Sequence, residues 1–185
     1  MKDIPSVLRL RKRHGAGAPR AVTAADGERL VKAQSLSRAV LAGVIAVMIF
    51  CVFWIALTAL LDRVLPWLTV LLGAMVGFAV RHAGRGVNWH YPLLAACLAL
   101  VGALLANIVV AASTTAAIFD TGTLRVLGAV TSMTWPVFFD EVFNAADGFY
   151  AVFSAALAAF LANRRLSRTQ YYALRLWRQR SDGHQ

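Results

Sequence analysis

The chain has 185 residues, of which 59% are hydrophobic and 15% are charged, and its formal net charge is +10 at pH 7. With a mean hydropathy of +0.61, it is too apolar for a solvated globular protein, which predicts a membrane protein. A basic chain can also bind nucleic acid, but here the basic residues cluster before the first apolar run, after the last one and in one turn between two runs. That placement favours membrane lipids as partners and predicts no nucleic-acid binding.

The N-terminal segment, residues 1–22, is basic and surrounds the flexible linker Gly15–Pro19. We expect it to be a solvated cytoplasmic tail near anionic lipid. It does not have the pattern of a secretory signal, because the first apolar run starts too late and is too long. Thr23 followed by Asp26 predicts a capped helix start, and the helical pattern can continue from there unbroken into the first span.

Four apolar segments can cross a membrane at about 1.5 Å per residue. They are predicted at about 39–61, 64–80, 91–118 and 142–162, within a transmembrane domain over residues 23–163. The second is the shortest, so it must cross upright or use arginine side chains that reach the interface. Residues 124–133 are apolar but too short to span, which predicts an interfacial or re-entrant helix.

The Lys and Arg residues are distributed asymmetrically. Nine precede Ala39, two lie within 81–85, six follow Asn163, and the remaining two are Arg63 and Arg125. This positive-inside pattern predicts that both termini face the cytoplasm. The predicted fold class is an all-α membrane protein with four transmembrane helices, cytoplasmic termini and a C-terminal amphipathic helix.

Small residues recur at helical spacing along the second and third spans. Such spacing lets helix backbones approach closely in lipid. The predicted packing residues are Gly73, Gly77, Ala99, Gly102 and Ala106. In the connection between these spans, Gly84 and Gly86 are expected to supply the permissive backbone of a tight turn.

Few polar side chains lie within the predicted spans. Asn107 is deep in the third, where we expect an interhelical hydrogen bond rather than a ligand contact. Thr134-Trp135-Pro136 predicts the start of a helix that runs on into the last span, so that Asp140, Asn144 and Asp147 share a face at i, i+4, i+7 spacing. Such a face can hold a cation or a proton. Alternatively, its acids are solvated and favoured by a nearby helix N-terminus.

Arginines gather at the predicted cytoplasmic ends of the spans. The candidate lipid-headgroup contacts are Arg81, Arg85, Arg164 and Arg168, because guanidinium groups bind lipid phosphate well. A charged stop for two helices also explains the first two. Residues 164–185 predict a basic amphipathic helix that lies on an anionic membrane surface or packs on another protein.

No enzyme motif is present: we find no HExxH, GxSxG, Walker glycine loop or CxxC. The sequence therefore predicts no enzymatic activity, no metal and no cofactor.

Residues 73–107 resemble a pattern from a family of small bacterial inner-membrane proteins with no known activity. The pattern is a glycine-spaced helix ending in Ala-Val-Arg, then Gly-x-Gly, then a Leu/Ala/Gly-rich helix ending near Asn. Residues 139–145 (Phe-Asp-x-x-Phe-x-Ala) match more weakly, with Asn144 and Asp147 standing where the pattern is apolar or aromatic. The resemblance implies a location in a bacterial inner membrane.

Two functions fit these features. The first is an accessory or assembly subunit of a larger envelope complex, which associates through its helices with other membrane proteins or with copies of itself. The alternative is a small oligomeric channel or transporter for a cation, proton or small solute, with Asp140, Asp147 and Asn107 along its path.

Overall fold

The structure, a computed structural model, describes residues 22–129, 134–164 and 166–182. All regular elements in these ranges are helical, and the ranges contain no β-strand. A short 3₁₀ turn, Pro66–Leu68, leads into the third α-helix. The α-helices are α1 (Ala24–Lys32), α2 (Leu36–Leu61), α3 (Thr69–Gly84), α4 (His90–Ile118), α5 (Thr123–Ala129), α6 (Trp135–Val142), α7 (Ala145–Ala162) and α8 (Arg168–Asp182).

Four helical segments are long and apolar enough to span a membrane: α2, Pro66–Gly84, α4 and α7. The prediction of an all-α protein with four such segments is therefore confirmed. The second segment continues past its predicted end, because Arg81 and His82 still belong to α3. Of the predicted interfacial helix, α5 covers the first part, and residues 130–133 lie outside the described residues, as do residues 1–21 of the predicted basic tail.

α3 and α4 occupy the centre of the bundle, since each of them contacts both α2 and α7. The core between these helices is apolar and includes the fully buried side chains of Phe50, Trp54, Leu72 and Val76. The outer side of α2 exposes large apolar side chains such as Met48. A chain that is apolar both inside and outside fits a lipid environment rather than water.

Two glycines allow α3 to reach the backbone of α7. A methyl group at Gly73 would collide with the carbonyl oxygen of Ser154, and one at Gly77 would lie 2.8 Å from the carbonyl oxygen of Ala158. Neither backbone atom can move aside as a flexible side chain would. The contact between α3 and α7 therefore requires a residue without a side chain at both positions.

The small residues of α4 also pack within the chain. A methyl group at Gly102 would lie 2.8 Å from Cγ2 of Val47 in α2, and Ala99 and Ala106 are fully buried in the same core. All five predicted packing residues thus lie in contacts inside the bundle. They are not available as contact surfaces for a second membrane protein.

The last span is not continuous with the helix that precedes it. α6 and α7 are separated at Phe143, whose backbone is extended, and Asn144 is the N-cap of α7. The N–H of Asn144 donates to Oδ2 of Asp147 at 3.0 Å. The prediction of one helix with Asp140, Asn144 and Asp147 on a single face is therefore wrong. An Asn followed three residues later by an acid favours the start of a new helix over continuation.

α1 starts where the sequence predicts but ends before α2. The N–H and hydroxyl of Thr23 donate to Oδ2 of Asp26 at 3.1 and 2.9 Å, which confirms the capped start. The predicted continuation into the first span is wrong, because Ser35 starts a new helix. Its Oγ accepts from the N–H of Arg38 at 3.4 Å, and its own N–H donates to the carbonyl of Gly84 at 3.1 Å.

The connection from α3 to α4 uses its glycines for space rather than for turning. Arg85 is the residue with left-handed backbone there (φ 48°), and neither Gly84 nor Gly86 has a positive φ. The ring of Tyr91 packs against both glycines, and a methyl group at Gly86 would overlap it. The prediction that these glycines supply the permissive backbone of a turn is therefore wrong, and their role is to leave room for the ring of Tyr91.

α8 packs on α1. The backbones touch at Gly27, where a methyl group would collide with the carbonyl oxygen of Ala173, and both Ala173 and Leu174 are buried. The apolar face of α8, which we expected to lie on a membrane or on another protein, is covered by a helix of the same chain. An amphipathic pattern shows that a helix has a face to bury, but not what will bury it.

We call the end of the bundle formed by α1, α8 and the connection 85–89 the basic end. The opposite end, which carries Asp62 and Asp120, is the acidic end.

Candidate functional site

A polar cavity of about 350 Å³ lies near the acidic end, between α4, α7 and the residues that precede α3. Its polar lining consists of Asn107, Thr114, Thr115 and Asp147. Asn107 and Asp147 are both buried, with 7% and 8% of their surface exposed. The structure therefore brings together two of the four predicted polar-site residues, one from α4 and one from α7.

Both of these side chains are held by their own helices. Nδ2 of Asn107 donates to the carbonyl oxygen of Ala103, one turn earlier, at 3.1 Å. That bond lies within α4 and is not the interhelical bond expected from the sequence. Asp147 accepts the N–H of Asn144, so the same carboxylate caps the start of α7 and lines the cavity. These bonds fix where both polar groups sit.

The other two predicted residues of this site are placed elsewhere. Asp140 on α6 and Asn144 at the helix break are exposed, and neither lines the polar cavity. The reason is the extended backbone at Phe143, which separates α6 from the face that carries Asp147.

A larger cavity of about 650 Å³ adjoins the polar cavity between α2 and α4, and the two share Val64 and Thr114. Thr58 lines it with a hydroxyl that is buried and has no hydrogen-bond partner in the described part of the chain. Ser113 lines it too, although its hydroxyl donates to the carbonyl of Val110 at 2.7 Å. Together the cavities form a hydroxyl-rich space open towards the acidic end.

Sequence reasoning missed these hydroxyl groups. The run Ser113-Thr114-Thr115 near the end of an apolar helix is a usable signal, because hydroxyls in a span either bond back to the helix or face a polar space. Thr58 carries no comparable signal. The polar groups that line the two cavities are the carboxylates of Asp62 and Asp147, the amide of Asn107, the guanidinium of Arg63 and several hydroxyls. Their oxygen atoms suit a hydrated cation or a polar solute. Within the described ranges, no three His, Cys, Asp or Glu side chains are grouped to hold a metal.

At the opposite end lies a cavity of about 430 Å³, which we call the basic cavity. It is lined by Leu30 of α1, by Ala33 at the C-cap of that helix, and by four cationic or titratable side chains, namely Arg81, His82, Arg85 and Arg164. Three of the four predicted headgroup contacts are therefore brought together. The fourth, Arg168, is exposed on α8 and does not line it.

Two hydrogen bonds order the basic cavity. Nη1 of Arg164 donates to the carbonyl oxygen of Arg85 at 3.3 Å, which ties the end of α7 to the end of α3. Nδ1 of His82 lies 2.8 Å from the carbonyl oxygen of Phe78, one turn earlier in α3, and donates to it. Both contacts satisfy carbonyl groups near a helix C-terminus, where cations are favoured.

No carboxylate balances this charge within the described part of the chain. The one ion pair there joins Lys32 to Glu28 at 2.6 Å on the exposed side of α1. The hydrogen bond and the charge of Lys32 hold the pKa of Glu28 below its usual value. Glu28 therefore pairs with Lys32 and not with an arginine of the basic cavity. None of the described carboxylates lies within 4.0 Å of those arginines.

The fold and its two ends define a class: a helical bundle with four segments long and apolar enough to span a membrane, a polar cavity at one end and a basic cavity at the other. No protein-family model matches the chain, and no curated protein and no solved structure matches it. Its family is therefore not fixed by similarity, and its function has to be argued from these sites.

Proposed function

We propose that this protein is an accessory or assembly subunit of a larger envelope complex in a bacterial inner membrane, and that it acts by helix association. Its termini are then cytoplasmic, as the distribution of Lys and Arg favours. The basic end, with α1 and α8, faces the cytoplasm, and the polar cavity faces outward.

The observation that supports this proposal is the docked pair of α1 and α8. Once the pair has formed, α8 still exposes Tyr171, Tyr172 and Leu176, with 59%, 57% and 41% of their surfaces accessible. The two tyrosine rings pack edge to face with centroids 6.4 Å apart. Tyrosine and arginine are the residue types that contribute most to protein interfaces. A rigid helix that presents them beside exposed arginines is suited to contact a partner.

The proposal is tested by photo-crosslinking in intact membranes. A photo-reactive amino acid at Tyr172 should give one discrete adduct with a partner, because that side chain lies on the free face of α8. The matched control is the same amino acid at Val152, which is 64% exposed on the outer side of α7 and should give no such adduct. No adduct from Tyr172, or equal adducts from both positions, would contradict the proposal.

A companion variant keeps the packing of the helix pair intact. Tyr171→Ala together with Leu176→Ala leaves the buried residues Ala173 and Leu174 untouched. We expect this variant to remain folded and to lose the adduct formed from position 172. An adduct of unchanged yield would show that the free face of α8 does not hold the partner.

A second candidate function is a small oligomeric channel or transporter for a cation, proton or small solute. The observation that favours it is the placement of two buried polar groups, Asn107 and Asp147, around one cavity near the acidic end. A buried carboxylate within a span is costly unless it has a partner or a function. Its role as an acceptor at the start of α7 accounts for part of its presence.

Flux into proteoliposomes tests this candidate. Asp147→Asn keeps an acceptor for the N–H of Asn144 and removes the charge, so it should abolish cation or proton flux without unfolding the bundle. Asp120→Asn is the control, because Asp120 is exposed and lines neither cavity. Wild-type protein that carries no flux in tight liposomes would remove the transport function.

A further inference from the structure

The basic cavity adjoins a second cavity on the side of α7, with which it shares two lining residues. This second cavity has a volume of about 270 Å³, and its lining includes Phe160 and Leu161 of α7. Arg81 and Arg164 line both cavities. Since Phe160 is 67% exposed on the outer side of the bundle, the arginines stand where a charged pocket meets an apolar surface.

The guanidinium groups cannot shed their charge. Arginine stays protonated in proteins, and each guanidinium offers five N–H donors. The hydrogen bond from Arg164 to the carbonyl of Arg85 uses a single donor. Arg81 and Arg164 are half-buried, so water screens them less than it screens side chains on a fully open surface. Both side chains line a cavity that has no described carboxylate in its lining, and an anion can fill that cavity.

Helix-end electrostatics explain part of this arrangement. Arg81 and His82 lie in the last turn of α3, and Arg164 follows the end of α7, where positive charge is favoured. That effect acts on each helix separately. It does not explain why cationic side chains of α3, of Arg85 after α3 and of Arg164 after α7 share one cavity. It also does not explain why Leu30 of α1 and Ala33 at its C-cap lie along the side of that cavity.

We propose that the basic cavity binds a phosphate group, with Arg81 and Arg164 as its principal ligands. Guanidinium groups match the oxygens of a phosphate in a bidentate manner. The phosphate comes either from the headgroup of an anionic lipid or from a soluble phosphate. In the first case, an acyl chain can follow Phe160 and Leu161 along α7. The inference does not depend on whether the chain is an assembly subunit.

Binding at this site also holds α1 in place. Leu30 is contributed by α1 and Ala33 by its C-cap, and α1 carries α8 through the contact at Gly27. A ligand that contacts these residues as well as the arginines binds more tightly when α1 is docked, so it stabilises the docked state. Hydrogen exchange in both α1 and α8 should therefore slow when the ligand is present.

The test measures binding to the full-length protein in a non-ionic detergent. Native mass spectrometry counts bound phosphatidylglycerol and, separately, phosphatidylcholine with the same acyl chains. Calorimetry measures binding of inorganic phosphate. For a lipid site, wild-type protein should bind one phosphatidylglycerol with a Kd at least about tenfold lower than that for phosphatidylcholine. For a soluble-phosphate site, inorganic phosphate should bind and the two lipids should not differ.

Matched variants locate the site. Arg81→Gln with Arg164→Gln should weaken binding of the preferred ligand at least about tenfold. Arg175→Gln with Arg178→Gln removes the same charge from exposed positions on α8 and should leave binding unchanged. Equal weakening in both double variants would show only a diffuse charge effect and would overturn the proposal.

A second pair of variants distinguishes loss of the ligand from loss of the fold. Ala33→Trp fills the cavity from the α1 side and keeps every arginine, whereas Ala25→Trp adds the same bulk at an exposed position of α1 that does not line the cavity. We expect the first to lose the ligand and the second to keep it. The proposal is overturned if Ala33→Trp binds as wild type does, or if wild-type protein shows neither lipid preference nor phosphate binding.

Discussion

Gly27 in α1 and Ala173 in α8 bring the first and the last described helices of the chain into backbone contact, with no space for even a methyl group between them. The contact closes the basic end of the bundle. It covers the apolar face of α8 and holds α1 over the basic cavity. Because Gly27 and Ala173 are far apart in the sequence, the contact joins segments on either side of all four spans.

Replacing Gly27 should separate these helices. Gly27→Val adds a branched side chain against the carbonyl of Ala173, so α8 should undock and become sensitive to trypsin at its arginines. Ala25→Val puts the same side chain at an exposed position of α1 and serves as the control. Limited proteolysis measures the difference. Equal cleavage rates for the two variants would rule out the helix pair.

The glycines of α3 should respond differently from an unpacked glycine. Gly73→Ala and Gly77→Ala force a methyl group against the backbone of α7, and we expect each to destabilise the bundle by about 1–3 kcal/mol. Gly148 in α7 has no atom within 4 Å of its added methyl group. Gly148→Ala should therefore be neutral or stabilising by about 0.5–1 kcal/mol. Thermal unfolding in detergent measures all three variants.

The bulkier change Gly77→Leu should lower the melting temperature further than Gly77→Ala, because more atoms meet the carbonyl of Ala158. A melting temperature for Gly73→Ala or Gly77→Ala equal to that of Gly148→Ala would contradict the close contact between α3 and α7.

The two roles of Asp147 can be separated by substitution. Asp147→Ala removes the acceptor for the N–H of Asn144 and should cost about 1 kcal/mol of stability. Asp147→Asn keeps an oxygen acceptor and should cost less. Thermal unfolding of the two variants measures this difference in stability. If Asn and Ala destabilise equally, the hydrogen bond to Asn144 does not hold the start of α7.

The spans could be predicted from the sequence because long stretches without charge have few alternatives to crossing a membrane. The break at Asn144 could also have been predicted. Asn144 and Asp147 have the same capping spacing as Thr23 and Asp26, which correctly predicted the start of α1. The i, i+4, i+7 spacing of Asp140, Asn144 and Asp147 favours one continuous helix instead, so the two patterns conflict at this point of the sequence.

Other features were beyond the reach of sequence patterns. The apolar face of α8 fits a membrane surface, another protein or α1 equally well, and only the contact at Gly27 decides among them. The basic cavity gathers Arg81 and Arg164, whose proximity depends on how α3 packs against α7. Likewise, Gly84 and Gly86 predict a turn by composition, whereas their actual use depends on where the ring of Tyr91 lies.

The most direct test of the account is the sidedness of the two ends of the bundle. In a background with Cys51→Ala and Cys97→Ala, single cysteines replace Asp120 at the acidic end and Thr169 at the basic end. Both positions are exposed. A membrane-impermeant maleimide added to intact cells, or to spheroplasts if an outer membrane blocks access, should label the cysteine at 120. It should label the cysteine at 169 only after the membrane is opened. Labelling of both positions from the same side would contradict the four-span account.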